Sequence, residues 1–142
     1  MRVKKVNRYY CDFCKKAGCS GGHMKKHEER CTLNPNRICG MCKTMDERQP
    51  DLKKLIGLLP NIKEYEKYNS EYEYMEYDVS NLKPHLKGVL KIIRGKTNNC
   101  PACILAVIRQ AKIPVSLVED FNFSKECKQF WNDFNDSQSG LQ

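Results

Sequence analysis

Nine cysteines and three histidines are the side chains of this sequence best suited to chemistry. Six of the cysteines form three C-x2-C pairs: Cys11/Cys14, Cys39/Cys42 and Cys100/Cys103. Thiolates spaced this way turn both sulfurs toward one point, which suits a tetrahedral zinc with Zn–S bonds of about 2.3 Å. A redox C-x-x-C is the competing reading, but that motif comes singly beside a βαβ pattern, and none is visible here. The paired grouping also argues against a secreted disulfide framework. The thiols are therefore expected to be reduced and the chain cytoplasmic.

The first ligand set is read from spacers. Cys11-x2-Cys14-x12-His27-x3-Cys31 offers four ligands, and His27 and Cys31, at i and i+4, share one helical face. Two surplus candidates lie nearby. His23, four residues before His27, could coordinate only by shortening the loop and displacing Cys31. Cys19 reads as a small buried filler or an exposed thiol.

Over residues 9–31 this spacing resembles the ββα zinc-finger family, in the variant whose last histidine is a cysteine. The resemblance implies a short hairpin clipped by zinc to a helix beginning near Gly21. Tyr9 and Met24 fall where the family keeps its small apolar cluster. Its usual aromatic is replaced by Gly18, and Cys19 beside it is expected to fill part of the gap. The family's base-reading positions fall on Ser20, Gly22, His23 and Lys26; glycine there reads nothing. Lys15, Lys16, Lys25, Arg30 and Arg37 would then meet phosphates, giving affinity without sequence choice.

The second ligand set follows from what remains. Cys39 and Cys42, with Gly40 permitting a tight knuckle, are expected to join Cys100 and Cys103 across the intervening 57 residues. Pro101 suits the first turn of a helix running through "ACILAVIRQAK", whose dipole favours the thiolates. A knuckle joined to such a helix resembles a treble-clef site. Four thiolates also suit iron, but structural zinc is commoner, so two Zn(II) ions are the expected cofactors.

These ligands need elements to hold them. Asn34-Pro35 and Asn36 end the finger helix. Residues 51–59 read as a helix between Pro50 and Pro60. Residues 62–79 place Ile62, Tyr65, Tyr68, Tyr72, Met75 and Val79 at helical spacing, with a strand over "EYEYMEY" as the competing reading. The helix is preferred. "NLKPHLKGVLKIIRG" buries Leu82, Leu86, Val89, Leu90 and Ile93 and ends at Gly95. His85 on it is expected to be an exposed polar residue. The last helix starts from Ser124 as N-cap, with Cys127, Phe130, Trp131 and Phe134 as its core stripe. The expected fold is small and mainly α. A basic arm and finger span residues 1–34, a zinc-stabilised helical domain spans 35–136, and a disordered tail spans 137–142.

Charge narrows the function. Residues 1–45 hold 11 Lys and Arg against 3 Asp and Glu, which is the whole net excess of +8; the remainder balances at 14 against 14. No apolar run approaches the roughly 20 residues of a membrane span. No apolar stretch follows the basic residues 1–10, so they do not read as a signal peptide. Zinc sites closed by four protein ligands leave no position for water, and only His85 lies between the second and third cysteine pairs. No phosphate-binding glycine loop is present, so neither an enzyme nor a small-molecule substrate is expected. The reading that follows is a nucleic-acid-binding protein, with DNA or RNA as partner. The alternative is a zinc-stabilised interaction module, adaptor or inhibitor that meets a host protein through the finger or the acidic, tyrosine-rich residues 62–79. The layout also resembles small uncharacterised zinc-finger proteins of phages and bacteria.

Overall fold

The computed structural model describes residues 1–139. Two short strands, β1 (Tyr9–Tyr10) and β2 (Ala17–Gly18), pair antiparallel and lead into helix α1 (Gly21–Arg30). Ser20 caps α1 by accepting from the His23 N–H at 3.3 Å. The finger buries only Cys11, Met24 and Cys31, so its own core is too small to hold it without metal. Tyr9 does not join that cluster. Its ring, 41% exposed, lies over Gly21, where a Cβ would come within 3.2 Å. Cys19 is exposed and fills nothing. A hollow of about 240 Å3 is bordered by Gly18, Cys19, His23 and Met24.

The second unit is helical. Helix α2 (Gly40–Thr44) and helix α3 (Leu52–Ile56) are short; α3 is capped by Asp51 rather than entered at Pro50, and is shorter than expected. Helix α4 (Val79–Thr97) and helix α5 (Pro101–Gln110) form the centre. Leu82, Leu86, Val89, Leu90 and Ile93 make the buried stripe of α4, as their spacing requires. Helix α5 is apolar nearly all round because it is enclosed: α3, α4 and helix α6 (Phe123–Ser139) all pack against it. Ile104, Val107 and Ile108 are at most 1% exposed.

Five expectations about these elements need correction. Residues 62–79 are not one helix. A 3-10 turn (Ile62–Tyr65) is followed by strand β3 (Glu66–Asn69) and strand β4 (Tyr74–Tyr77), paired from Glu66–Tyr77 to Asn69–Tyr74. Asn69 decides this, because its Oδ1 accepts from the Glu71 and Tyr72 N–H groups and reverses the chain. Glu73 then sits at φ 53°, outside any helix.

Helix α4 does not stop at Gly95. It runs to Thr97, and Asn98 closes it in the left-handed conformation. In α6 the cap is Asn122, whose Oδ1 accepts from the Lys125 N–H, while Glu126 bonds back to the Asn122 N–H. The α6 stripe is core only in part: Cys127 and Phe130 pack against the core cluster. Trp131 is 40% exposed, and Cys127, Phe130 and Phe134 are half-buried. The expected tail is helical over 137–139, and its remaining residues lie outside the described ones.

Candidate metal centres and nucleic-acid interface

Cys11, Cys14, His27 and Cys31 converge in the finger, and Cys39, Cys42, Cys100 and Cys103 converge in the helical unit; within each set the ligand atoms all lie within 4.8 Å of one another. A tetrahedral zinc with bonds of about 2.3 Å sets its sulfurs about 3.8 Å apart. Cys39 and Cys100 sulfurs stand 3.5 Å apart, and those of Cys42 and Cys103 stand 3.6 Å apart. In the finger, Cys14 Sγ lies 3.2 Å from His27 Nε2. All nine cysteines are free thiols. The donor sets, spacing and burial fit two structural zinc ions held by these eight residues. His23 is exposed and lies outside the finger set.

Each set is prepared for thiolate charge. In the finger, Cys11 Sγ accepts from the Phe13 N–H and Cys14 Sγ from the Lys16 N–H, both at 3.4 Å. In the helical unit both pairs sit at helix N-termini, where amide dipoles favour an anion. Cys100 is the N-cap of α5, followed by Pro101 at the first position. Cys39 is the N-cap of α2 and accepts from the Cys42 N–H at 3.4 Å. A helix therefore replaces the expected glycine-dependent knuckle, and Gly40 needs no left-handed backbone.

The four thiols cannot all ionise without a cation between them. Hydrogen bonds from Cys100 and then Cys103 hold Cys39 far below the ordinary thiol range. Burial, then the charges of Cys100 and Cys39, pushes Cys42 up to about 12. Hydrogen bonds with Cys100 and Cys39, together with burial, drive Cys103 in the same direction. A divalent ion removes this conflict, because it lets every sulfur be a thiolate.

Lys15, Lys16, His23, Lys25, Lys26 and Arg30 are exposed on the finger. Two other expected contacts bond within the protein, one of them exposed and the other buried. Ser20 Oγ caps α1. Arg37 is 4% exposed, and its Nε donates to the Arg30 carbonyl at 3.2 Å. Arg37 therefore joins the finger to the body and is withdrawn from the phosphate-facing surface. Its charge was visible in the sequence, but nothing there showed that Gln49 and the end of α1 would enclose it.

Sequence reasoning also missed a pair outside the zinc sets. His85 is exposed as expected, but its Nδ1 lies 3.0 Å from the Tyr65 hydroxyl, and the two rings meet edge-on. Tyr65 is placed by the 3-10 turn that replaces the expected helix, which is why twenty residues of separation concealed the contact.

Fold and ligands thus define a small two-centre zinc protein with a basic finger. No family model matches the chain, and no solved structure matches it. Among curated proteins it is similar to the defective intron-associated endonuclease 3 of Enterobacteria phage T4, at 47% identity over 50 residues, or 33% of this chain and 52% of that protein. The chain thus spans about half the length of this curated relative. The likeness overturns the expectation that the chain is not an enzyme, since a relative carrying an endonuclease's name conflicts with that exclusion. Among the described residues, no helix is long and apolar enough to cross a membrane.

Proposed function

We propose that this chain binds nucleic acid, DNA in the first instance, through the face formed by Lys15, Lys16, Lys25, Lys26, His23 and Arg30. The observation carrying this reading is that the net charge of +8 resides in residues 1–45, around a zinc-clipped finger whose lysines are exposed. The similarity to a phage intron-associated endonuclease supports it. Lysines on flexible stems meet phosphates as point charges and confer little sequence choice. His23, Lys26 and Ser20, whose exposed hydroxyl accepts the capping bond and keeps its own O–H donor, are the base-facing candidates, because Gly22 has no side chain. Arg109 and Gln110 of the helical body bond to Thr32 and Asn34, just past the finger. Charge reversal of Lys15, Lys16, Lys25 and Lys26 to Glu is expected to weaken duplex binding by roughly 100-fold or more at low salt, with two zinc ions retained. Unchanged binding would contradict the reading.

A second reading, phosphodiester cleavage by this chain, is favoured by the endonuclease relative. Four-ligand zinc centres leave no open position, so cleavage would draw on groups outside them. His85, whose Nδ1 lies 3.0 Å from the Tyr65 hydroxyl, is the group to test. Nicking of supercoiled plasmid in Mg2+ that disappears in His85→Ala would support it, and no nicking in Mg2+ or Mn2+ would remove it.

A further inference from the structure

A cavity of about 510 Å3 lies against the four-cysteine centre, between α2, the end of α4 and α6. Its size falls within the roughly 300–1,000 Å3 of small-ligand sites. Met41, Met45 and Phe130 give it an apolar wall, and Asn98, Asn99 and Gln129 supply carboxamides. Glu47 and Asp133 add carboxylates bonded to amides: Asn98 Nδ2 reaches Glu47 at 3.3 Å, and Gln129 Nε2 reaches Asp133 at 2.7 Å. Among the described residues neither carboxylate makes an ion pair. Asn98 and Asn99 both adopt left-handed backbone, at φ 53° and 58°. Asn98 there closes α4, the place where asparagine commonly takes this conformation.

The cavity wall already contains one solved instance of the recognition its lining can perform. Arg94 is held there by both carboxylate oxygens of Glu126, at 2.5 and 3.0 Å. The Asp120 carbonyl and Asn99 Oδ1 accept from the other Nη hydrogens, and the guanidinium lies 6.0 Å from the Phe121 ring centre. Carboxylate, carbonyl-type oxygen and aromatic ring are the partners of a guanidinium. The cavity repeats them with Glu47 and Asp133, the Asn and Gln carboxamides, and Phe130. Because Arg94 is engaged by Glu126, the Glu47 and Asp133 carboxylates stay without an ion pair, and the zinc-loaded four-thiolate centre that Cys42 and Cys100 bring to the wall is itself net negative. A phosphate would be repelled, and a neutral ligand would desolvate those carboxylates without compensation. We propose that this cavity receives an arginine side chain from a basic segment of a protein partner, guanidinium inward and alkyl stem along Met41 and Met45.

The test uses the zinc-loaded full chain without nucleic acid, so its result does not depend on the binding mode of the finger. The probe is N-acetyl-arginine amide, compared with N-acetyl-norleucine amide, spermidine and adenosine monophosphate. The readouts are the side-chain amide resonances of Asn98, Asn99 and Gln129, and emission from Trp131, the sole tryptophan, whose ring meets Phe130 edge-on at 5.1 Å. Saturable shifts with the arginine amide alone, lost in Glu47→Gln/Asp133→Asn with zinc content intact, are expected. Equal shifts from the norleucine amide, from spermidine or from the nucleotide would overturn the proposal, as would the absence of any saturable shift with the arginine amide.

Discussion

Arg109 Nη1 donates to Thr32 Oγ1 at 2.6 Å, tying the end of α5 to the segment just past the last finger ligand. Gln110 Nε2 adds bonds to the carbonyls of Thr32 and Asn34, at 2.9 and 3.1 Å. The Ile38 N–H reaches Glu29 at 2.8 Å, and Arg37 closes on Arg30. The junction between finger and body is therefore a hydrogen-bonded seam, although the sequence showed only a turn at Asn34-Pro35.

That seam gives a first prediction. Gln110→Ala is expected to cost about 1–3 kcal/mol, because it leaves the half-buried Thr32 carbonyl without its donor, while the Asn34 carbonyl keeps the Arg37 N–H. Chemical denaturation would measure the loss. Amide exchange at Ile38 should quicken more than exchange at Ile104, since the first reports the seam and the second the core. Equal changes at both would mean that the seam has no separate role.

The two zinc centres should be separable. Cys14→Ser is expected to leave one zinc per chain and a folded α4–α5 core, whereas Cys103→Ser should leave one zinc and lose most helical signal. Cys103 is fully buried among the core side chains, and structural zinc in small folds contributes roughly 10–16 kcal/mol of binding free energy. Zinc content and far-ultraviolet dichroism of the two variants check this together.

Loading the helical site should release protons. With Cys39 ionised and Cys42, Cys100 and Cys103 shifted upward, three thiols are protonated near neutral pH before metal enters. Zinc uptake then releases about three protons, and its affinity rises with pH, because protons compete for the same sulfurs. Calorimetry in buffers of differing ionisation enthalpy counts them. Release of four would show that the metal-free site is not preorganised.

A local backbone test is Lys112, exposed and left-handed at φ 62° just after α5. Lys112→Gly should stabilise the chain by about 1 kcal/mol, the cost of that conformation for a side-chain-bearing residue. Thermal unfolding reads the gain, and a loss of stability would contradict it.

Much of this was legible from spacing, and the remainder was not, for physical reasons. Eight metal ligands were visible because thiolates need fixed offsets to converge, and Pro101 marked the helix that carries one pair. The stripe from Leu82 to Ile93 was visible because burial of one helix face imposes a period. Residues 62–79 misled because tyrosines at 65, 68 and 72 fit a helix while 72, 74 and the adjacent acids fit a strand. A side-chain bond from Asn69 decided between them, and periodicity does not record such bonds. The buried position of Arg37 and the contact between Tyr65 and His85 depend on tertiary packing, so no local pattern announced them. The α6 aromatics showed helical spacing, but spacing alone does not say whether a stripe is covered.

The measurement that bears most directly on a phosphate-gripping finger is binding of the zinc-loaded protein to an arbitrary duplex at about 50 and 200 mM salt. The exposed finger lysines predict micromolar binding at the lower salt that weakens by orders of magnitude at the higher, with a salt slope that becomes shallower as Lys15, Lys16, Lys25 and Lys26 are replaced. Binding indifferent to salt, or none at the lower concentration, would contradict it.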